Sequence, residues 1–477
     1  MNSPIALPRN SEARPSTTQQ QWLLYARLLL GVGWIVEATI GRFWKWGWFG
    51  SGVNPDWLGE TAGATIISTA ERAQEDGVWG WYSSVLDGVV LGNAEFLSWA
   101  TSITQVLFGV LLVFGLFSRL AALSGLGMLV SILLMGSFRT SPLLIALTLF
   151  VLLAGAERFG SLDGRLRDTA LRPVVTLGLD QTVKRFAPWI AAAAGPIAIY
   201  FLLQQATRPT PRFIYVGQEF AVFSIAVVAA VIMIGVNGMN RLEVATGLLR
   251  MYVGYKLLWW IWTAPQAALT SLPGFNDGTE LEEVLLAGAE THLPVLSSIV
   301  ESVFAPGAGL WAIVLGLVQA VLGFLLISGW RAKSATAATV ALLTLYILLG
   351  FTRYAPYLAS MALLAYALGS APQVSLIDLV TGRRTKPGSA LRFSRSAMYA
   401  LVIASVVLAV GAVVSGITPN GYNNDVGSTV LWTLALNLSM VAAAAVYAVR
   451  DTQTIDIRSD QKSPKDEQLE ENVAAAT

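Results

Sequence analysis

Long apolar stretches separated by short polar segments run along most of the chain. A helix needs roughly 20 apolar residues to cross a bilayer, and lipid offers no partner to exposed backbone groups, so stretches of this length without strict alternation are helical. The pattern therefore predicts an all-α polytopic membrane protein with about twelve transmembrane helices. They lie near 22–40, 96–117, 120–138, 142–157, 186–205, 217–237, 244–262, 309–329, 335–352, 356–371, 396–417 and 429–449.

The composition agrees with membrane insertion. Hydrophobic residues make up 55% of the 477 residues and charged residues only 13%, whereas a soluble domain carries about a quarter charged residues. The net charge of +1 creates no field that would attract a polyanion, and this excludes general nucleic-acid binding. The expected partner is the lipid bilayer.

The chain has no cysteine and one histidine, His292, in an acidic loop where we expect the imidazole to be exposed. Disulfides, thiolate catalysis, iron–sulfur clusters and Cys-ligated zinc are thereby excluded, as is a multi-histidine metal centre. No metal site and no covalently bound cofactor is expected. Redox chemistry would have to use a bound organic cofactor, a quinone or a partner subunit.

The distribution of basic residues predicts the orientation in the membrane, because cytoplasmic loops retain Lys and Arg. With the N-terminus inside, inner segments hold 21 and outer segments 7 of the 31 Lys and Arg residues. We therefore expect a multi-pass protein of the cell (plasma) membrane with both termini in the cytoplasm. Two long outer loops, 41–95 and 263–308, are expected to contain surface helices.

An internal repeat emerges when the chain is compared with itself at an offset of 214 residues. Residues 83–162 then align without a gap, and the first spans align as Arg27-xxx-Gly31 with Arg250-xxx-Gly254. Chance does not readily place Gln, Arg and Pro in register. The aligned pairs include Asp87 with Glu301, Gln105 with Gln319, Gly109 with Gly323, Gly115 with Gly329, Arg139 with Arg353 and Pro142 with Pro356.

The repeat predicts two parallel halves, each a four-helix unit followed by a helix pair. An even number of spans in each half relates them by a pseudo-two-fold axis along the membrane normal. Polar, charged segments at both ends are expected to be disordered tails. The predicted organisation is a tail at 1–21, a four-helix unit at 22–175, a helix pair at 176–240, a second, divergent unit at 241–385, a helix pair at 386–450 and a tail at 451–477.

The four-helix unit resembles the DoxX/DoxD family. The resemblance rests on the Arg and Gly of the first span, the second span QVLFGVLLVFGLFSRLAAL, a short third span and the ending GAERFGSLDGRL. The second half is similar in QAVLGFLLISGWRAK and LLAYALGSAPQVSLIDL. The family includes the DoxD membrane subunit of thiosulfate:quinone oxidoreductase, so the resemblance implies electron transfer from thiosulfate to quinone with a second subunit of a redox complex.

Arg139 and Arg353 occupy equivalent Gly-x-x-Arg-x-x-Pro positions at the outer end of the third span of each half. A guanidinium there can bind a small oxyanion such as thiosulfate through two hydrogen bonds. The alternatives are that each Arg caps the carbonyls that end its helix, or reaches lipid headgroups. Asp87 and Glu301, just before the second span of each half, are candidate partners for these arginines.

Four ionisable residues lie within the predicted first spans, where a charge is costly enough to indicate function. Arg27 and Arg250 are equivalent and lie near the cytoplasmic end, where reaching the interface is an alternative role. Glu37 and Lys256 are deeper and have no charged equivalent in the other half. Any partner of Glu37 has to come from another helix.

Gln105 and Gln319 are equivalent neutral residues in the middle of predicted spans. Either amide can donate a hydrogen bond to a quinone carbonyl, or link two helices. The best interpretation is a DoxD-like membrane subunit that passes electrons from thiosulfate to quinone. A small-solute transporter and a noncatalytic scaffold subunit of a redox complex remain as alternatives.

The predicted orientation can be tested at Ser389, in the basic segment before the eleventh span. Because the chain has no cysteine, Ser389→Cys introduces a single thiol. We expect a membrane-impermeant maleimide to label this thiol in inside-out vesicles but not in intact cells. Labelling in intact cells would overturn the assignment.

Overall fold

The computed structural model describes 15–39, 54–137, 140–156, 159, 161–163, 179–204, 211–235, 237–263, 278–351, 354–375, 389–391, 394–414 and 426–460. Within these ranges the regular secondary structure is helical, and no strand occurs. Arg139 and Arg353 lie outside the described residues.

In the described part of the chain, one helix coincides with each predicted span. The helices α1 to α12 are Thr17–Thr39, Ala94–Phe114, Ser118–Leu134, Ser141–Ala154, Leu179–Gln204, Pro211–Gly235, Arg241–Thr263, Ala308–Ser328, Ala332–Leu348, Ala355–Ala367, Arg395–Val414 and Val426–Asp460. Among the described residues, five helical segments are long and apolar enough to cross a membrane: Thr17–Thr39, Gly80–Phe114, Arg212–Gly235, Ala308–Ser328 and Thr429–Val446.

Shorter helices precede α2 and α8, in the two segments where the sequence predicts long outer loops. Those before α2 are Pro55–Leu58, Ala64–Glu75 and Gly80–Val85, and those before α8 are Thr279–Ala289 and Pro294–Ile299. A five-residue π-helical turn follows each set, at Leu86–Val90 and at Val300–Phe304. Asp87 and Glu301 each lie on one of these turns.

Helices α1 and α7 form the centre of the packing. Helix α1 contacts α2, α4, α10 and α12, whereas α7 contacts α8, α10, α4 and α6. The helix pair α5–α6 therefore packs on α7 through α6, and the pair α11–α12 packs on α1 through α12. The core runs along α1, α4, α7 and α10, where side chains such as Trp22, Trp34 and Tyr354 are almost fully buried.

Helix α2 has its small and polar residues on the inside. Its buried positions Ser98, Ser102, Gln105, Gly109 and Leu112 are three or four residues apart, which places them on one face of the helix. Its outer face carries exposed large apolar side chains, namely Phe96, Trp99, Ile103, Leu107, Val110 and Phe114. This arrangement reverses that of a soluble protein and suits a helix with lipid on its outer face.

Pairs of glycines allow the closest helix contacts. A Cβ atom on Gly109 of α2 would lie 2.8 Å from the carbonyl oxygen of Gly31 on α1, and a Cβ on Gly31 would lie 2.9 Å from that of Gly109. Gly254 of α7 and Gly323 of α8 repeat this arrangement at 2.8 and 2.9 Å. The α1–α2 and α7–α8 contacts thus have no room for a side chain at these points.

Helix α12 continues to Asp460, ten residues into the segment where the sequence predicts the charged tail. The first helix-breaking residue after the predicted boundary is Pro464. The helix passes the predicted boundary at Arg450 because no glycine or proline follows closely enough to end it at that point.

The glycine contacts generate a test with a matched control. Gly109→Ala should destabilise the protein by about 1–3 kcal/mol, since its methyl group would meet the backbone of α1. Gly127 of α3 is the control because nothing lies within 4 Å of a Cβ atom built there. Gly127→Ala should be neutral or stabilising, by up to about 1 kcal/mol. Thermal unfolding in detergent measures both; equal melting temperatures would contradict the close packing.

Candidate functional site

Arg250 of α7 is fully buried and donates to four backbone carbonyl groups. Its Nε bonds to Leu326 at 2.9 Å, and its Nη1 bonds to Ser370 at 2.8 Å and to Ala371 at 3.1 Å. Nη2 bonds to the carbonyl oxygen of Val374. Leu326 lies in the last turn of α8, and the other three acceptors follow α10. The guanidinium therefore joins the ends of two helices to α7 inside the bundle.

Arg27 of α1 has neighbours similar to those of Arg250. It is 1% exposed, and a Cβ atom on Gly115 would lie 1.7 Å from its Nη1 atom and 2.6 Å from Ser161 Cβ. In the second half, a Cβ on Gly329 would meet Ser375 and Arg250 in the same way. Both glycines have a positive φ, 69° and 79°, at the ends of α2 and α8. Glycine thus ends the helix and leaves space for the arginine.

Lys256 of α7 forms a buried ion pair with Glu219 of α6. The two side chains are 1% and 0% exposed. Glu219 also accepts hydrogen bonds from two tyrosine hydroxyls of α7, Tyr252 on Oε2 and Tyr255 on Oε1, each at 3.2 Å. Three donors thus converge on one carboxylate, which is the condition under which a buried charge is tolerated.

Aromatic rings surround the Lys256 ammonium group. Its Nζ atom lies 4.4 Å from the centre of the Trp259 ring and 5.7 Å from that of Tyr255. The indole N–H of Trp259 donates to Gln218 at 2.9 Å, next to Glu219 in the sequence. The ring faces supply the cation–π attraction that an ammonium gains in a water-poor environment. Glu219, Lys256, Tyr252, Tyr255 and Trp259 are called the α6–α7 charge cluster below.

Glu37 of α1 lies in a different part of the bundle. Its Oε1 accepts from the Tyr357 hydroxyl of α10 at 3.1 Å. A second polar contact joins the same helices to α12, because Asn437 Oδ1 accepts from Tyr25 at 3.3 Å and from Ser360. Helices α1, α10 and α12 are therefore linked by side-chain hydrogen bonds.

The two equivalent glutamines have different surroundings. Gln319 of α8 is fully buried and donates to the Tyr346 hydroxyl of α9 at 2.7 Å. Ile132, which stands 214 residues before Tyr346 in the sequence, has no hydroxyl. Gln105 is 5% exposed.

Residues from elsewhere in the chain bind the carbonyl groups that end α3 and α9. Arg212, at the start of α6, donates to Gly136 and Met135, each at 3.2 Å, and pairs with Asp76 at 2.9 Å. His292 Nε2 lies 2.8 Å from the carbonyl oxygen of Leu348. The expectation that His292 is exposed is wrong: it is 9% exposed because it binds the end of α9.

The acids of the two π-helical turns have local partners. Asp87 accepts from Gln74 at 2.8 Å, and Glu301 accepts from Ser297 at 3.1 Å. Because Arg139 and Arg353 lie outside the described residues, their predicted pairing with these acids stays a prediction. The other predicted site residues are distributed over several places in the bundle.

Two acids outside the predicted site residues have specific roles. Glu219 lies two residues inside the predicted span 217–237. An acid within an apolar stretch is a candidate functional residue, so its position in the sequence already indicated its importance. Asp163 accepts from the backbone N–H groups of Phe117 at 2.6 Å and Ser118 at 2.8 Å, at the start of α3. Its position 45 residues after Ser118 gives no local sign of this cap. Among the described residues, no group of His, Cys, Asp and Glu side chains is arranged to hold a metal ion.

Residues 76–137 match the DoxX family. A DoxX family domain therefore covers the π-helical turn at Leu86–Val90, α2 and α3. No curated protein and no solved structure matches the chain. Together with the apolar helices, the DoxX domain indicates an integral membrane protein with the lipid bilayer as its partner.

The contacts of Arg250 indicate a structural role that stability measurements can test. Arg250→Met would leave four carbonyl oxygens without their donor, and hydrogen bonds with charged groups contribute about 1.5–3 kcal/mol each. We expect a loss of at least about 3 kcal/mol in unfolding free energy. Lys333→Met, which changes an exposed residue of α9, should have little effect. An Arg250→Met protein as stable as wild type would contradict this assignment.

Proposed function

We propose that this chain is a DoxD-like membrane subunit that helps to pass electrons from a small sulfur anion, thiosulfate, to a membrane quinone. The observation that carries the proposal is the DoxX domain at 76–137, which ends two residues before Arg139. The chain contains no cysteine and one histidine, and His292 binds a helix end. The proposal therefore includes a second subunit that provides a redox group, while this chain binds the anion and the quinone.

The proposed architecture is two parallel repeats with about twelve membrane spans. It is supported by helix lengths that recur 214 residues apart: α2 and α8 both have 21 residues, and α3 and α9 both have 17. The backbone angles before α3 and α9 also agree, with φ 47° and ψ 35° at Phe117 and φ 48° and ψ 36° at Arg331. In this arrangement both termini are cytoplasmic and the Gly-x-x-Arg-x-x-Pro segments face outward in a plasma membrane.

The segments around Arg139 and Arg353 support the anion site. Gly136 and Gly350 have positive φ values of 93° and 97°, and Pro142 and Pro356 stand in the first turns of α4 and α10. In the sequence, each arginine stands three residues after this glycine and three residues before this proline. The positive end of a helix dipole together with a guanidinium favours a small anion.

The difference between the glutamines supports the first half as the quinone side. Gln319 donates to the Tyr346 hydroxyl at 2.7 Å, whereas the residue 214 positions before Tyr346 in the sequence is Ile132, which has no hydroxyl. A side-chain amide without a tyrosine partner can donate to a quinone carbonyl. We therefore assign quinone contact to Gln105 and a structural role to Gln319.

The test of anion binding uses thiosulfate-dependent reduction of a quinone analogue by the purified complex, with any partner subunit retained. Arg139→Gln should weaken the apparent affinity for thiosulfate by a free energy of about 1.5–3 kcal/mol, because glutamine keeps hydrogen bonds but loses the charge. Arg353→Gln should have a smaller effect if the divergent half is structural.

Lys333→Gln is the control, because it removes one positive charge from an exposed position. Its thiosulfate affinity should equal that of wild type. If a well-folded double Arg139→Gln, Arg353→Gln variant keeps the wild-type affinity, these arginines are helix caps or headgroup anchors and the anion site is wrong.

A small-solute transporter is the second candidate, favoured by the buried Glu219–Lys256 pair, because ionisable groups within a membrane often mark solute or ion pathways. A transporter would produce substrate-dependent flux in proteoliposomes without quinone reduction. A noncatalytic scaffold subunit would show neither activity but would co-purify with a catalytic partner.

A further inference from the structure

The buried α6–α7 charge cluster is connected to the protein surface along one face of α6. Arg212, Tyr215 and Glu219 are spaced by three and four residues, so their side chains lie on the same face of the helix. Arg212 and Asp76, which are paired, have side chains 21% and 29% exposed, whereas Glu219 is completely buried. Polar groups therefore lead inward over seven residues of helix, or about 10 Å.

The inner end of this face holds several exchangeable protons around one acceptor. The Lys256 ammonium and the hydroxyls of Tyr252 and Tyr255 all bind the Glu219 carboxylate. The ring of Tyr215 lies edge-on to Trp259, with centroids 5.2 Å apart, and so joins the polar face to the cluster. The arrangement places one ammonium and two phenol hydroxyls within hydrogen-bond distance of one carboxylate.

The four-helix unit does not require this ion pair in order to pack. Lys256 follows Arg250 by six residues, and the residue that follows Arg27 by six is Gly33. Under the two-repeat architecture proposed above, the first half packs its central helix with a glycine where the second half has a lysine. Because a buried ion pair is also a poor source of stability compared with apolar side chains, packing alone does not account for the pair.

We propose that Glu219 and Lys256 form a proton-exchange site that is loaded from the Arg212–Asp76 end of α6. In the loading step a hydronium ion gives up a proton, so that one of its O–H bonds breaks and water remains, and one O–H bond forms on a carboxylate oxygen of Glu219. The Lys256 ammonium then loses its ionic partner but keeps the ring of Trp259. Release of the proton to water breaks that bond and restores the ion pair. No electron is transferred in either direction.

Other ionisable groups near the cluster are few. Helices α4 and α8, which pack against α7, contain no ionisable residue. At the α10 side, Tyr354 stacks on Trp260 at 5.4 Å and Tyr357 binds Glu37. On α5, Phe201 stacks on Phe220 of α6 at 4.7 Å. The charged residues of α5 stand at the end of the helix opposite to Phe201; they are Asp180, Lys184 and Arg185. Within α7 itself, Arg250 is held by carbonyl groups.

Infrared difference spectroscopy of the full chain in lipid nanodiscs tests the proposal without thiosulfate or quinone, so its outcome is separate from that of the redox assay. Spectra are recorded between about pH 4 and pH 10, which brackets the ordinary titration ranges of carboxyl and amino groups. We expect the carbonyl band of a buried, protonated glutamic acid to appear reversibly, and to move when glutamate is labelled with ¹³C. Absence of any such band in wild-type protein would mean that the pair stays ionised, and would overturn the proposal.

Substitutions assign the band. Glu219→Gln should abolish it, while Glu37→Gln, at the other glutamate bound by tyrosine within the bundle, should leave it in place. Glu219→Asp guards against misfolding of the glutamine variant, because the band should persist but lose its ¹³C-glutamate shift. A band that survives both changes at position 219 unaltered would overturn the assignment.

The entry route has a kinetic test. After a rapid pH jump from a photolysed proton donor, Asp76→Asn should slow the appearance of the band at least about tenfold while leaving its final size unchanged. Asp87→Asn, which removes an exposed acid of the same connecting region, should not change the rate. Equal rates in wild type and Asp76→Asn would overturn loading from the Arg212–Asp76 end.

Discussion

Positive charges buried between apolar helices must be given acceptors, and this requirement governs the arrangement of the bundle. Arg250 obtains its acceptors from the carbonyl groups at the ends of α8 and α10, and Lys256 obtains a carboxylate from α6. Each charge thus connects its central helix to particular neighbours. A guanidinium left without these acceptors inside the bundle would cost several kcal/mol, so helix ends and charged side chains have to be placed together.

Polar side chains also bind the backbone groups at the ends of other helices. The carbonyl groups that end α3 accept from Arg212, and those that end α9 accept from His292. Asp163 binds the N–H groups that start α3. Short apolar helices leave a large share of their backbone groups at their ends, and this explains why so many polar side chains of the chain are used as caps.

The α1–α2 and α7–α8 helix pairs have similar backbone contacts but different polar side chains around them. The glycine contacts between α1 and α2 recur between α7 and α8 at nearly the same distances. Among the described residues, Lys256, Tyr252, Tyr255 and the Gln319–Tyr346 bond lie after residue 240, whereas Glu219, the acid of the ion pair, lies before it on α6. Backbone packing constrains both helix pairs alike, whereas an interior polar group is free to change once its partner changes. Specialised chemistry is therefore expected where the polar side chains around the two pairs differ.

The sequence by itself determined that this is a helical membrane protein, because apolar stretches of about 20 residues leave no other way to satisfy the backbone in lipid. It also located Lys256 and Arg250, since a charge stands out in an apolar stretch. It did not determine their partners. Glu219 meets Lys256, and Ser370 meets Arg250, 37 and 120 residues apart in the chain. Only the packing of helices decides such pairs, because contacts between helices depend on which faces meet and carry no local periodicity.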